Sequence, residues 1–110
     1  MKNYLVIYHA PTEALAQMEN ASPEDKEKGM AAWFAWKAQY EDKVVDFGAP
    51  LMGGQQMNAE GEWNGSSKEV SGYSIVQGND TEEVKAIFAG HPHLSWYPGC
   101  TIEIHESIAM

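Results

Sequence analysis

The order of strand and helix patterns along the chain is the feature that most constrains its fold. The run Tyr4-Leu5-Val6-Ile7-Tyr8 is continuously apolar and aromatic, which predicts a strand in the middle of a sheet. Ser22-Pro23-Glu24-Asp25 is typical of a helix start, because serine is a good cap and proline suits the first helical position. We expect this helix to run to about Asp42 or Lys43. The other predicted elements are a helical turn within 9–21, a second strand over 44–51, a hairpin from Gln55 to Ser67, a third strand over 69–76, a short helix capped by Asp80 and ended by Gly90, and a last strand over 101–105.

This β-α-β-hairpin-β-α-β order predicts an α+β fold, a ferredoxin-like βαββαβ sandwich with an extra hairpin, in one domain over residues 1–110. In such a sandwich the helices cover one face of the sheet and the other face stays open. Alternation along the last strand predicts that Ile102 and Ile104 face the helices, whereas Thr101, Glu103 and His105 face away. An open face of mixed polar and aromatic residues on so small a domain favours a second sheet as its partner. We therefore expect a homodimer.

The balance of charges excludes several classes of partner. Sixteen acidic residues against seven basic ones give a net charge of −9, which repels phosphate backbones and anionic lipids. Nucleic acids and membranes are therefore poor candidate partners. No apolar run approaches the roughly 18 residues that a membrane-spanning helix needs, and the first residues lead directly into a strand pattern rather than a signal peptide. Together with a single cysteine, Cys100, these features favour a cytoplasmic protein.

A loop with two histidines lies between the second helix pattern and the last strand. It reads His91-Pro92-His93-Leu94-Ser95-Trp96-Tyr97-Pro98-Gly99-Cys100. The strand directions of the predicted fold place this loop at the same end of the sheet as His9, which follows the first strand. The second strand ends at this same end of the sheet, so Asp46 and the Gly48-Ala49-Pro50 turn after it are expected there as well. His105 is expected at the opposite pole.

These residues form the predicted site. One of His9, His91 or His93 would act as a general acid or base, since histidine titrates near neutral pH, and Asp46 would orient it or act as a base itself. Aromatic residues would wall a pocket for a flat or apolar small molecule. They are Trp33, Trp36, Trp96 and Tyr97.

A purely structural interpretation of the same residues stays open. Asp46 is equally suited to cap a turn or to bridge a dimer, and histidines are common at helix ends. Trp33 and Trp36 have the helical spacing of core residues, which predicts burial without any ligand.

Metal ions and cofactors are not predicted. His91 and His93, with Cys100 or Asp46, are suitable types of metal ligand, but a His-x-His spacing across a proline is a weak signal. Few positive groups lie near Cys100 in the sequence to make its thiol a nucleophile. The pair Gly53-Gly54 opens no helix, so no phosphate-binding loop indicates a nucleotide.

Five segments carry a resemblance to a known family by their order and spacing. They are Tyr4-Leu5-Val6-Ile7-Tyr8, Asp46-Phe47-Gly48-Ala49-Pro50-Leu51, Ser71-Gly72-Tyr73-Ser74-Ile75, Gly90-His91-Pro92-His93-Leu94 and Cys100-Thr101-Ile102-Glu103-Ile104. Together they resemble the YCII-related family of small proteins of the dimeric α/β-barrel type. The resemblance implies a ferredoxin-like protomer, a dimer, and a pocket between sheet and helices that uses a histidine with an aspartate. Some members of that family resemble lyases that process lactones or chloro-aromatic compounds.

The predicted function is proton transfer without a cofactor, in a lyase or isomerase acting on a small organic molecule such as a lactone or an aromatic compound. Two other hypotheses stay open: a non-catalytic module that binds a small metabolite, and a structural dimer without a ligand.

Overall fold

The computed structural model describes all residues from 1 to 110. It contains six strands and four helices. In chain order they are β1 (Lys2–His9), α1 (Thr12–Glu19), α2 (Pro23–Gln39), β2 (Val44–Asp46), β3 (Gln55–Met57), β4 (Trp63–Gly65), β5 (Val70–Gly78), α3 (Thr81–Ile87), α4 (Pro92–Trp96) and β6 (Thr101–Glu106).

Four of the strands form one antiparallel sheet in the order β2-β5-β1-β6, and β3 pairs with β4 as a separate hairpin. Strand β1 lies between β5 and β6, as its continuous apolar sequence predicts. The arrangement confirms the α+β, ferredoxin-like fold with an added hairpin. None of the four helices has the length and apolarity needed to cross a lipid bilayer.

The main core lies between the sheet and the helices. Alternate residues of β1, namely Tyr4, Val6 and Tyr8, are buried there. The register pairs Val6 with Ser74 of β5 and with Ile104 of β6, so these residues share the helix-facing side. Ile102 and Ile104 pack against this core, as expected. The residues that complete the core are Trp36, Val76, Val84, Ile87 and Phe88.

Helix α2 begins as predicted and ends earlier than predicted. The side chain of Ser22 accepts a hydrogen bond from the backbone N–H of Asp25 at 3.1 Å, which satisfies one free donor of the first turn. At the other end the carbonyl oxygen of Tyr40 accepts from the backbone N–H groups of Lys43 and Val44. These bonds turn the chain into β2 after Gln39, so the helix stops short of Asp42.

The segment after β1 is a regular helix rather than a single turn. Helix α1 has no cap within its own sequence; instead a carboxylate oxygen of Glu69 accepts from the backbone N–H of Thr12 at 2.6 Å. This contact spans 57 residues, so local sequence gives no sign of it. Helix α4 likewise lies within the stretch that we expected to be a loop.

The second strand is shorter than predicted, because the chain turns sharply at Gly48. This glycine has a φ of +79°, and a Cβ at this position would lie 1.8 Å from the carbonyl oxygen of Tyr73. The backbone N–H of Gly48 donates to a side-chain oxygen of Asp46 at 2.8 Å. Strand β2 therefore ends at Asp46, and only an isolated bridge between Pro50 and Gly72 continues the pairing.

Candidate functional site

His91 occupies a fixed position at the start of α4. It follows Gly90, whose φ of +74° reverses the chain after α3. Its ring Nδ1 accepts a hydrogen bond from the backbone N–H of His93 at 3.0 Å, which caps α4. Because Nδ1 accepts, the proton of the neutral ring is on Nε2.

The ring of His91 is enclosed by aromatic side chains. Its centroid lies 4.5 Å from that of Trp33 and 4.6 Å from that of Trp36, both edge-on, and 5.5 Å from the ring of Tyr8. Phe88 completes the enclosure at 5.6 Å. We call these four rings the aromatic box. The residue is only 1% exposed, and its Nε2 has no hydrogen-bond partner.

The aromatic box also sets the charge of His91. Burial, and to a smaller extent the nearby His93, lower the pKa of its ring to about 4. The ring is therefore neutral at pH 7, with a buried N–H group that has no acceptor. An unsatisfied buried donor costs on the order of 1–3 kcal/mol, and sites of this kind are often functional.

Tyr8, one ring of the aromatic box, also begins a chain of hydrogen bonds. The hydroxyl of Ser74 donates to the carbonyl oxygen of Phe47 at 2.7 Å, so the hydroxyl of Tyr8 must donate to Ser74 at 2.9 Å. Burial raises the pKa of Tyr8 to about 12, which its hydrogen bond to Ser74 only partly opposes. Tyr8 is therefore a neutral donor, not a base.

The ring of His93 also packs on Tyr8, with the two ring centroids 5.3 Å apart. Its Nε2 donates to the carbonyl oxygen of His9 at 2.8 Å, and its ring lies 5.9 Å from that of Trp96. Burial lowers its pKa, against the opposing effect of hydrogen bonds to the backbone at His9 and Thr101.

The rings of His91 and His93 lie together on the helix side of the sheet, whereas the ring of His9 lies across the sheet from them, near enough that its charge lowers the pKa of His93. The His9 ring lies on the open face of the sheet, where Nδ1 contacts the carbonyl oxygen of Lys68 at 2.8 Å and Nε2 lies 3.0 Å from Glu103. The prediction that His105 lies at the opposite pole is wrong. His105 pairs with Leu5, in the middle of β1, and contacts the same carboxylate as His9.

Asp46 is exposed and makes no hydrogen bond or ion pair with a histidine. Its carboxylate caps the turn at Gly48, which is the structural role left open by the sequence. The next residue, Phe47, lies near the aromatic box, because its ring centroid is 6.2 Å from that of Trp33.

The four predicted pocket aromatics fall into two groups. Trp33 and Trp36 belong to the aromatic box, and Trp36 donates from Nε1 to the carbonyl oxygen of Ile87 at 2.8 Å. Trp96 and Tyr97 pack instead on a second core cluster formed by Ala10, Ala14 and Cys100. Burial raises the pKa of the Cys100 thiol, which makes it a poor nucleophile.

A shallow apolar groove lies next to the aromatic box. It has a volume of about 330 Å³ and is lined by Lys85, Phe88, Ala89, Leu94, Ile102 and Ile104. Phe88 lines this groove, and its ring also lies 5.6 Å from that of His91. The sequence did not point to this groove, because its walls come from α3, α4 and β6. No three or more His, Cys, Asp or Glu side chains are arranged to hold a metal ion.

No protein-family model matches the sequence, and no curated protein sequence matches it significantly. Among solved structures, the chain is similar to 5-chloro-2-hydroxyhydroquinone dehydrochlorinase (TftG) from Burkholderia phenoliruptrix AC1100, in complex with 2,5-dihydroxybenzoquinone. The TM-score is 0.51 at 14% sequence identity, over 92% of this chain and 90% of the other. This similarity establishes the fold. The resemblance to the YCII-related family is thus supported at the level of fold alone.

Proposed function

We propose that this protein is a cofactor-independent lyase or isomerase that acts on a small organic molecule with a carbonyl or aromatic hydroxyl group, at His91. The observation that carries the proposal is the buried Nε2–H of His91, which has no partner inside the aromatic box. Its neighbours are flat rings, which suit a lactone or an aromatic substrate. The similar fold of a dehydrochlorinase agrees with an elimination.

His91 would stabilise negative charge on the substrate. When the carboxylate of Asp46 takes the proton from a carbon next to a carbonyl group, the C–H electron pair forms a C=C bond and the carbonyl π pair moves onto the oxygen, where a neutral N–H held in a dry site stabilises it. In an isomerase the enolate is reprotonated at another carbon; in a lyase the C=O bond re-forms and the electron pair expels the leaving group, such as halide, from the neighbouring carbon. His93 would fix the ring of His91 through its backbone N–H, and the carbonyl oxygen of His9 would hold His93.

Asp46 is the proposed base. It stands beside Phe47, at the rim of the aromatic box, and its carboxylate is exposed. For both groups to act on one substrate, the ring of Trp33, which lies 4.5 Å from that of His91 and 6.2 Å from that of Phe47, would have to move aside, and the exposed side chain of Asp46 would have to turn toward the opening. Trp33 and Trp36 would hold the ring of the substrate, whereas Trp96 and Tyr97 would support the loop from behind.

A homodimer is part of the proposal. The open face of the sheet exposes apolar side chains, including Leu5 and Val45, and the hairpin of β3 and β4 exposes Met57 and Trp63. An isolated two-stranded hairpin is only marginally stable in water, so contact with a second copy would stabilise it.

The experiment is a substrate panel with matched variants. Halogenated hydroquinones and lactones are offered to the wild type, His91→Asn, Asp46→Asn and Glu82→Gln, and halide release or ring absorbance is followed. Asparagine at 91 keeps an acceptor for the His93 N–H but removes the donor geometry of the imidazole. We expect both site variants to lose at least about 100-fold in kcat/KM and Glu82→Gln to lose none. Unchanged turnover in His91→Asn would contradict the proposal.

The second candidate function is non-catalytic binding of a small metabolite. It is favoured by the burial of His91, which is 1% exposed, beside an apolar groove that Phe88 lines. Native mass spectrometry of the purified protein distinguishes the two, because a tightly held metabolite that is never converted supports binding alone.

A further inference from the structure

The hairpin of β3 and β4 projects from the body of the protein and carries two large apolar side chains. Every residue from 51 to 65 is exposed. Met57 and Trp63 are paired directly across the two strands, so their side chains lie on one face, where they are 53% and 62% exposed. We call these two residues the hairpin pair. The radius of gyration of the chain is 15.2 Å, whereas a compact chain of this length has about 13 Å.

Hydrogen bonds within the turn hold the hairpin pair in place. The side-chain oxygen of Asn58 accepts from the backbone N–H groups of Glu60 and Glu62, at 3.0 and 2.9 Å. The backbone N–H of Asn58 donates to the carbonyl oxygen of Glu62 at 2.9 Å. The turn is therefore ordered before any partner binds, and a preorganised surface loses less entropy on binding. Glu60 and Glu62 also place two carboxylates beside the hairpin pair.

The shallow groove between α3, α4 and β6 has the complementary chemistry. Five of its six lining residues are apolar, and the sixth is Lys85. Lys85 pairs with Glu82 at 3.1 Å, but both side chains are largely exposed, so this pair contributes little and Lys85 can meet another carboxylate. Small-molecule sites enclose most of their ligand. A shallow groove with one cation instead suits a protein surface that offers an apolar anchor with acids beside it.

The hairpin of the same chain lies at the opposite edge of the sheet from the groove. It follows β2, which is one edge strand, whereas the groove is lined by β6, which is the other, and β5 and β1 lie between them. A second copy supplies the same hairpin from outside. In a two-fold dimer each hairpin meets the groove of the other copy, so the contact is made twice.

We propose that the hairpin of one copy docks in the groove of a second copy of this chain. Met57 and Trp63 fill the apolar groove of about 330 Å³, and the acids of the turn pair with the partner's Lys85. The two sheets meet through their open faces with β2 of one copy beside β6 of the other, so the hairpin has only to pass around that edge. The inference rests on the homodimer within the proposed function, but not on the chemistry at His91.

The docked hairpin reaches the candidate site through Phe88. The ring of Phe88 lines the groove and lies 5.6 Å from that of His91. Tryptophan is a frequent anchor of protein interfaces, because its large ring fills pockets from which water is excluded. The partner's Trp63 therefore keeps water from this side of the aromatic box, and each copy completes the site of the other.

The first test is the dissociation constant of the dimer, measured by sedimentation equilibrium on purified variants. Trp63→Ala should raise it at least about 100-fold, because the dimer contains the anchor twice and each loss is worth about tenfold or more. Met30→Ala is the matched control. It removes an apolar side chain of α2 that is also exposed, and it should leave the dissociation constant unchanged.

A charge exchange tests whether the groove is the receptor. Glu60→Lys together with Glu62→Lys should weaken the dimer, because two lysines then face the partner's Lys85. Adding Lys85→Glu should restore the affinity by at least about tenfold, since the attraction returns. Adding Lys26→Glu instead changes the net charge equally, at an exposed lysine of α2, and should restore nothing.

Four results would overturn the proposal. A folded Trp63→Ala that dimerises as strongly as the wild type excludes the hairpin as the anchor, while the proposed homodimer and the role of His91 stand. Equal rescue by Lys26→Glu and Lys85→Glu excludes the groove as the receptor. A small molecule that co-purifies with the wild-type dimer and is lost in Leu94→Arg makes a ligand the occupant of the groove. A wild type that stays monomeric removes the homodimer from the proposed function as well.

Discussion

The ring Nε2 of His93 donates a hydrogen bond to the main-chain carbonyl oxygen of His9 at 2.8 Å. This bond ties the start of α4 to the end of β1, so the loop that follows α3 is anchored on the central strand of the sheet. The ring of His9 lies beyond that strand, on the open face. One end of the sheet therefore presents two different histidine environments, a dry one around His91 and a solvent-exposed one around Glu103.

The buried His91 makes stability depend on pH. Because its folded-state pKa of about 4 is below the unfolded value of 6.5, the unfolded chain binds the proton first as pH falls. Stability is therefore complete above about pH 6.5 and is lost between there and pH 4, by about 3 kcal/mol from this residue. Urea unfolding at several pH values should show a shallower loss for His91→Asn than for the wild type. Equal slopes would contradict a buried neutral His91.

The hydroxyls of Tyr8 and Ser74 should be energetically coupled. Tyr8→Phe removes one donor from Ser74 and should cost about 1 kcal/mol. Ser74→Ala should cost more, about 1–3 kcal/mol, because it leaves both the Tyr8 hydroxyl and the Phe47 carbonyl oxygen without a partner in a buried place. A double-mutant cycle by urea unfolding should give a coupling energy above about 0.5 kcal/mol. Additive effects would mean that the two hydroxyls act independently.

Gly48 and Gly53 form a matched pair for testing the turn after β2. Both have a positive φ, of +79° and +68°, but a Cβ at Gly48 would collide with the carbonyl oxygen of Tyr73, whereas a Cβ at Gly53 meets nothing within 4 Å. Gly53→Ala should cost only the backbone strain, about 1–2 kcal/mol. Gly48→Ala should cost clearly more, since β2 or β5 must move. The difference in thermal midpoint between the two variants measures this, and similar midpoints would be inconsistent with the close approach.

Glu69 should stabilise α1 from a distance. Removing its carboxylate in Glu69→Ala leaves the backbone N–H of Thr12 without its acceptor and should cost about 1 kcal/mol, the typical value of a helix cap. Glu69→Gln keeps an acceptor oxygen and should cost less. Amide hydrogen exchange at Thr12 and the following residues reports the effect locally, and unchanged exchange in Glu69→Ala would refute the capping role.

The sequence predicted those parts of the structure that depend on local pattern. The apolar run of β1 specified a central strand, Ser22 and Pro23 specified the start of α2, and Gly53-Gly54 indicated the hairpin. Strand polarity placed His91 and His93 near the end of β1. These predictions held because periodicity, capping and turn chemistry act over a few residues.

The sequence by itself thus determined the order of elements, the side of the sheet that the residues of the last strand face, and the position of His91 and His93 at the end of the sheet where β1 ends. Only the tertiary structure decided that Asp46 caps Gly48 instead of contacting a histidine, that Glu69 caps α1, and that Glu103 joins His9 to His105. Each of these contacts depends on the pairing or bulging of particular strands. The register that fixes them is set by packing across the whole core, which no local pattern contains.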